Sequence, residues 1–218
     1  MRSPVRSKVS AGGWLLGAVA ALSLGAAPAS AASFVYAPQI GTTGTGSVAQ
    51  FGVGTGGGLS QLPFPPAPSG VSPEAIAVTP DGNNAYVADG GTAAISQYSI
   101  NPSTGALSPK APDHVAAGAG PADIAVSPGG LDAYVPVIGG ISQYDIDPST
   151  GGLVAKLPDL VSTGGQPARI AISPDGRSVY VTSFNSSSIF QFDVDPGTGD
   201  LTAKPALDRR EATAPTLE

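Results

Sequence analysis

Three charged residues stand just ahead of short apolar runs: Glu74 before Ala75 to Val78, Asp123 before Ile124 to Val126, and Arg169 before Ile170 to Ile172. Two carboxylates and a guanidinium gathered at one place can bind a polar ligand. They can also polarise an ester carbonyl while an acid activates water. They are the candidate ligand-binding and catalytic residues. His114, the one histidine, could act as a general base in principle. It follows Pro112 and Asp113 in a polar, irregular stretch, so a solvated surface position is expected. Asp145 with Asp147, and Asp193 with Asp195, place carboxylates two apart on one strand face, but the oxygen-dense loop that Ca²⁺ needs is absent. No metal or cofactor is expected. Gly54 to Gly58 lacks the Lys-Ser/Thr that completes a phosphate loop, and reads as a turn. No Gly-x-Ser-x-Gly nucleophile motif follows the leader described next.

The chemistry has to be positioned outside the cytoplasm. Arg2, Arg6 and Lys8, the apolar run Trp14 to Ala27, and Ala29-Ser30-Ala31 read as a cleaved signal peptide over residues 1–31. Its removal leaves 7 Lys plus Arg against 16 Asp plus Glu, a net charge of -9. That balance argues against nucleic acid and against an anionic membrane surface, both of which call for a basic face. With no cysteine in the chain, neither disulfides nor thiolate metal sites are available.

The 30 Gly and 22 Pro among 218 residues would suggest low complexity if they were scattered. They are periodic. Pro73 to Val87, Pro121 to Val135 and Pro167 to Val181 each give an Ile-Ala run, a turn (Pro-Asp-Gly in the first and third), and a second run ending in Tyr-Val. Tyr36, Tyr86, Tyr134 and Tyr180 recur every 46 to 50 residues, and Gln50, Gln97, Gln143 and Gln191, each followed by Phe or Tyr, every 46 to 48. Each unit adds an Asx-Pro-x-Thr-Gly turn, at 101–105, 147–151 and 195–199, and then an outer strand opened by Leu59, Leu107, Leu153 or Leu201. The Ile-Ala run is uncharged and β-branched, as in a strand buried on both faces, and the outer strand is the weakest of the four.

Four antiparallel strands in about 45 residues match one blade of a β-propeller. The expectation is an all-β open arc of about 3.5 to 4 four-stranded blades over residues 32–218, with units near 34–72, 73–120, 121–166 and 167–214. The first unit begins directly at its Tyr strand. Leu-to-Pro spacings of 14 residues extrapolate from Leu201 to Pro215, which leaves no further blade to close a ring. The chain is expected to be a truncated product or half of an assembly closing between chains, and to self-associate through apolar blade faces.

The pattern Pro-x-x-Ile-Ala-x-Ser-Pro-Asp-Gly-x-x-x-Tyr-Val, with Tyr86-Val-Ala-Asp89 and Tyr180-Val-Thr-Ser183, resembles the YVTN repeats and the lactonase family of seven-bladed β-propellers, which includes bacterial 6-phosphogluconolactonases. The Asx-Pro-x-Thr-Gly-x-Leu connectors are similar too. The resemblance implies a propeller over residues 34–217 and, as one activity, hydrolysis of a sugar lactone. Lactonase-like members carry histidines just after the Pro that opens the innermost strand. Here those positions hold Glu74-Ala75, Ala122-Asp123 and Ala168-Arg169. The expected function is therefore a secreted binding module taking a small polar ligand or a protein at the channel face, with lactone hydrolysis by Arg169, Asp123 and Glu74 as the alternative.

Overall fold

The computed structural model describes residues 33–41, 44–186 and 188–204, and the leader and Pro215 lie outside them. Among the described residues there is no helix, and hence none long and apolar enough to cross a membrane. The chain forms four sheets in succession. The first holds β1 (Ser33–Ile40), β2 (Thr45–Val53), β3 (Leu59–Gln61) and β4 (Ala67–Val71). Both β3 and β4 pair with β2, so together they make one broken outer strand. The second holds β5 (Pro73–Val78), β6 (Asn84–Asp89), β7 (Ala94–Ile100) and β8 (Leu107–Ala116), hydrogen-bonded in that order. The third repeats it with β9 (Ala125–Val126), β10 (Asp132–Val137), β11 (Gly140–Ile146) and β12 (Leu153–Ser162). The fourth holds β13 (Pro167–Ile172), β14 (Ser178–Ser183), β15 (Ile189–Val194) and β16 (Leu201–Ala203).

Local chemistry explains each turn. In the β5–β6 hairpin Gly82 adopts φ +74° and donates its N–H to Thr79 O, while the Asp81 carboxylate accepts from Thr79 Oγ1 and Asn83 N. A residue with a Cβ pays for that left-handed φ, so Gly is used. Asp147 caps its turn by accepting from Ser149 Oγ and the Ser149 and Thr150 N–H groups, which hold its carboxyl down at about 2.

Two strand expectations are corrected. The outer strand is weak only in the first and fourth sheets, where β3 and β16 have 3 residues each, whereas β8 and β12 run for 10 residues, the longest among the described residues. Nor is the innermost strand always buried on both faces. Only two residues of the third sheet's inner segment pair as β9, and β13 exposes Arg169 and Ala171. In the third sheet, side-chain bonds to Asp123, described below, take over from the ladder.

Sheets pack face to face, with one apolar core at each boundary. Tyr36 and Val48 meet Val87 and Tyr98 between the first two sheets. Tyr86 and Ile95 meet Val135 and Tyr144 at the next, and Tyr134 and Ile141 meet Val179 and Phe192 at the last. A blade exposes two apolar faces and needs a neighbour on each, at about 25 cal/mol per Å² removed from water.

Polar clasps set the blades in register, and they account for the repeated Tyr, Gln and Leu. The second-strand Tyr donates its hydroxyl to the Gly carbonyl of the next blade's connector: Tyr36 to Gly105 at 2.9 Å, Tyr86 to Gly151 at 2.7 Å, Tyr134 to Gly199 at 2.6 Å. The third-strand Gln accepts from the next blade's Leu N–H at 2.7 Å, in Gln50–Leu107, Gln97–Leu153 and Gln143–Leu201. Its amide nitrogen donates to a proline carbonyl in its own outer strand, Pro65, Pro112 or Pro158. Lys110 and Lys156, three residues after the Leu, donate to Thr150 O and Thr198 O of the following connector. Lys156 is buried among Asp132, Asp145 and that carbonyl. Burial pulls its ammonium down, but the hydrogen bonds and charges of the two carboxylates outweigh it and leave the pKa above that of an ordinary lysine.

Candidate functional site

The three sequence candidates do not converge. Asp123 and Arg169 hold the same place, the third residue from the opening Pro, whereas Glu74 is the second. Glu74 is the extra residue of a β-bulge, because the β5–β6 register passes from Pro73 to Ala75. Ala122 and Ala168 are its counterparts. Among the described residues no hydrogen bond or ion pair links Glu74 to the other two.

Asp123 and Arg169 do meet, across the boundary between the third and fourth sheets. The Asp123 carboxylate accepts from Ile124 N at 2.9 Å with one oxygen and from Ile170 N of the next blade at 3.1 Å with the other. The Arg169 guanidinium donates back to Ala122 O at 2.5 Å. Both groups are thus engaged in joining the third inner segment to β13. Burial raises the Asp123 pKa, opposed by the two N–H bonds and the Arg169 charge. With a raised folded pKa, its contribution to stability is fully present below the unfolded value and is lost as pH rises through the folded one. The hydrogen bonds still make the side chain stabilising overall. Asp123→Asn keeps one acceptor and turns an NH₂ toward the second N–H, so a loss of about 1–2 kcal/mol is expected. Urea unfolding checks it.

A second place was not legible as a site in the sequence. A cleft of about 320 Å³ opens between β4 of the first sheet and β7–β8 of the second, lined by Gly70, Asp89, Ser96, Tyr98, Asp113 and His114 among others. Asp89 ends β6 and is fully buried. Its Oδ2 accepts the Ser96 hydroxyl at 2.6 Å, and Ser96 Oγ in turn accepts from Gly70 N at 3.3 Å. Its Oδ1 has no hydrogen-bond partner among the described residues. Burial raises the Asp89 pKa, and the Ser96 hydrogen bond opposes it. Gly70 has to be glycine, because a Cβ there would fall 2.8 Å from Asp89 Cβ and Cγ. His114 lies opposite Ser96 in the β7–β8 ladder, with Nδ1 2.7 Å from Asp113 Oδ1. Its side chain is 64% exposed, the solvated position expected for it, but at the rim of this cleft.

The next boundary shows what the cleft is not. Val137 holds the place of Asp89 in the third sheet, at 1% exposure inside the apolar core, and Leu160 holds that of His114. Only the first boundary puts an acid there. The available signal was position 89 alone, acidic where the parallel Tyr-Val runs end in Val137 and Ser183.

The metal pairs are committed elsewhere. Asp145 holds Lys156, Asp193 holds Lys204 at 2.9 Å, and Asp147 and Asp195 cap turns. Among the described residues no three or more His, Cys, Asp or Glu side chains are placed to hold a metal ion.

Consecutive four-stranded antiparallel sheets, packed face to face and clasped by recurring side chains, define a β-propeller. The family described as Lactonase, 7-bladed beta-propeller matches residues 68–207, and the chain belongs to that family. Solved structures agree on the fold. A candidate 6-phosphogluconolactonase from Bacteroides uniformis is 18% identical with a TM-score of 0.64, over 78% of this chain and 54% of that one. A protein from Lactobacillus plantarum gives 18%, 0.65, 80% and 55%, and the periplasmic gluconolactonase of Pseudomonas aeruginosa 22%, 0.61, 79% and 53%. The chain therefore spans about half the length of the structures it matches. No curated protein matches it.

Proposed function

We propose that this chain is an exported ligand-binding propeller whose ligand enters the cleft between the first and second blades. The observation that carries the reading is Asp89: a fully buried carboxylate with one oxygen unpartnered, at the wall of a cavity of about 320 Å³. Leaving such an oxygen without a donor costs about 1–3 kcal/mol or more, so a site that keeps it has a use for it. With Asp89 behind the wall and Asp113 at the rim the cleft is acidic, so the ligand carries hydroxyl or ammonium donors and is small. Ser96, held by Gly70 N and Asp89, fixes the direction of approach. Export rests on the leader at 1–31.

Calorimetric titration with neutral monosaccharides and, separately, with small diamines tests this. Saturable binding to one class is expected, weakened at least tenfold by Asp89→Asn, which keeps the shape and removes the charge. Absence of binding to either class in the folded protein would count against the cleft.

Sugar-lactone hydrolysis is the second reading. It is supported by the family and by what two of the similar structures are called. Against it, the Asp123 carboxylate and the Arg169 guanidinium are spent on backbone groups, and no histidine stands at the inner-strand openings. Turnover of a sugar lactone by the purified protein, lost in Arg169→Ala, would overturn binding alone.

A further inference from the structure

The clasps that close each blade boundary have a vacant counterpart at either end of the described chain. On the fourth sheet, Tyr180, Gln191 and Lys204 hold the places of Tyr134, Gln143 and Lys156. Tyr180 is 40% exposed where Tyr86 and Tyr134 are fully buried, and Ile189 is 61% exposed where Ile95 and Ile141 are fully buried. The groups that would receive them sit on the first sheet. Gly57, two residues before Leu59 as Gly105 is before Leu107, takes φ +76° against +72°, in a turn one residue shorter that closes from Gly57 N to Gly54 O at 2.8 Å where the connector closes from Gly105 N to Asn101 O. Leu59 lies opposite Val53 as Leu107 lies opposite Ile100, yet it is 58% exposed where Leu107, Leu153 and Leu201 are 6–9% exposed.

We propose that the open face of the fourth blade seats the first blade of a second copy of this chain, head to tail. The Tyr180 hydroxyl then donates to Gly57 O and the Gln191 side chain accepts from Leu59 N–H, repeating the geometry of the three internal boundaries. Ile189 and Leu59 leave water together. The clasp recognises a left-handed glycine turn followed two residues on by a Leu N–H. A second copy carries that turn with its receiving Leu already exposed. The contact is heterologous, so it closes a two-copy ring or runs on as a filament. Two copies approach the span of one solved relative, of which this chain covers 54%.

Sedimentation of the unmodified protein over a wide concentration range is the first measurement, and a dimer or larger species is expected. The chain has no cysteine, so single cysteines report the contact without background. Gln191→Cys protein mixed with Leu59→Cys protein is expected to cross-link through a short bismaleimide, while neither does so alone. Tyr180→Phe together with Lys204→Met is expected to raise the dissociation constant about tenfold or more. A monomer at every concentration overturns the proposal without any variant. So does equal cross-linking in either single-cysteine protein alone, which would mean like faces meet.

Discussion

Gln143→Leu is expected to lower the unfolding free energy by roughly 2–4 kcal/mol, one of the largest losses available from a single side chain of similar volume. Gln143 is 1% exposed and spans two strands that no ladder joins. Its oxygen accepts Leu201 N–H at 2.7 Å, and its nitrogen donates to Pro158 O at 3.1 Å. Leucine fills the space and strands the buried Leu201 N–H, while the Pro158 carbonyl, on an exposed residue, is left only partly hydrated. The transfer gain of an apolar side chain offsets part of this, which is why the estimate stops near 4. Each stranded group costs about 1–3 kcal/mol, and a blade boundary held partly by that amide loosens with it. Gln191→Leu is the control. It holds the same place in the repeat, flanked by Phe190 and Phe192 where Gln143 has Ser142 and Tyr144, but in the described chain it makes no such bonds, so in dilute protein its cost is expected to be under about 1 kcal/mol. Denaturant unfolding of the two variants decides. Equal midpoints would mean that the glutamine is kept for strand propensity and not for clasping the next blade.

That contrast also shows what the sequence carried. The propeller was legible because two markers, Tyr and Gln-aromatic, share one period, and a period is a property of the chain alone. Why those residues recur was not legible: Tyr86 reaches Gly151, 65 positions on, and nothing local to either residue announces the bond. The connector Asx-Pro-x-Thr-Gly-x-Leu reads as a turn, yet it is also a docking motif that offers Thr and Gly carbonyls and a Leu N–H to the blade before it. Sites fared worse for a similar reason. Position in the repeat puts Asp123 and Arg169 at the same place in neighbouring blades, and the structure has them meet at one boundary. Position could not show that Ile124 N–H, left outside the short β9, and Ile170 N–H, on the innermost strand of the next blade, would consume the carboxylate. Glu74 precedes an innermost strand as they do, but it is the bulge residue itself and stands one place earlier. Asp89 carries no site signal of its own in the sequence, because it ends a run that also serves as a repeat marker.

Asp89→Val tests whether that acid is kept for function. The substitution installs in the second blade what the third already has: Val137 lies at the matching place, 1% exposed, on an equivalent strand. Ligand binding in the cleft is expected to fall by a hundredfold or more, since the acceptor disappears and the wall becomes apolar. Stability is expected to rise by about 1–2 kcal/mol at neutral pH, because removing a buried, half-satisfied carboxylate outweighs the loss of the Ser96 hydroxyl's acceptor, and Ser96 keeps its bond from Gly70 N. For a chain of this size that is a melting point higher by about 2–8 °C. The pH dependence has a definite sign. Burial raises the folded pKa of Asp89, so the native side chain weighs least on stability below its unfolded pKa and progressively more as pH rises through the folded value. The advantage of the valine variant should therefore be small in acid and grow toward neutrality, then level off. A variant less stable than the parent at every pH would make Asp89 a structural clasp between the first two blades. A gain in stability with loss of binding is the signature of a residue retained at a cost to the fold for what it holds in the cleft.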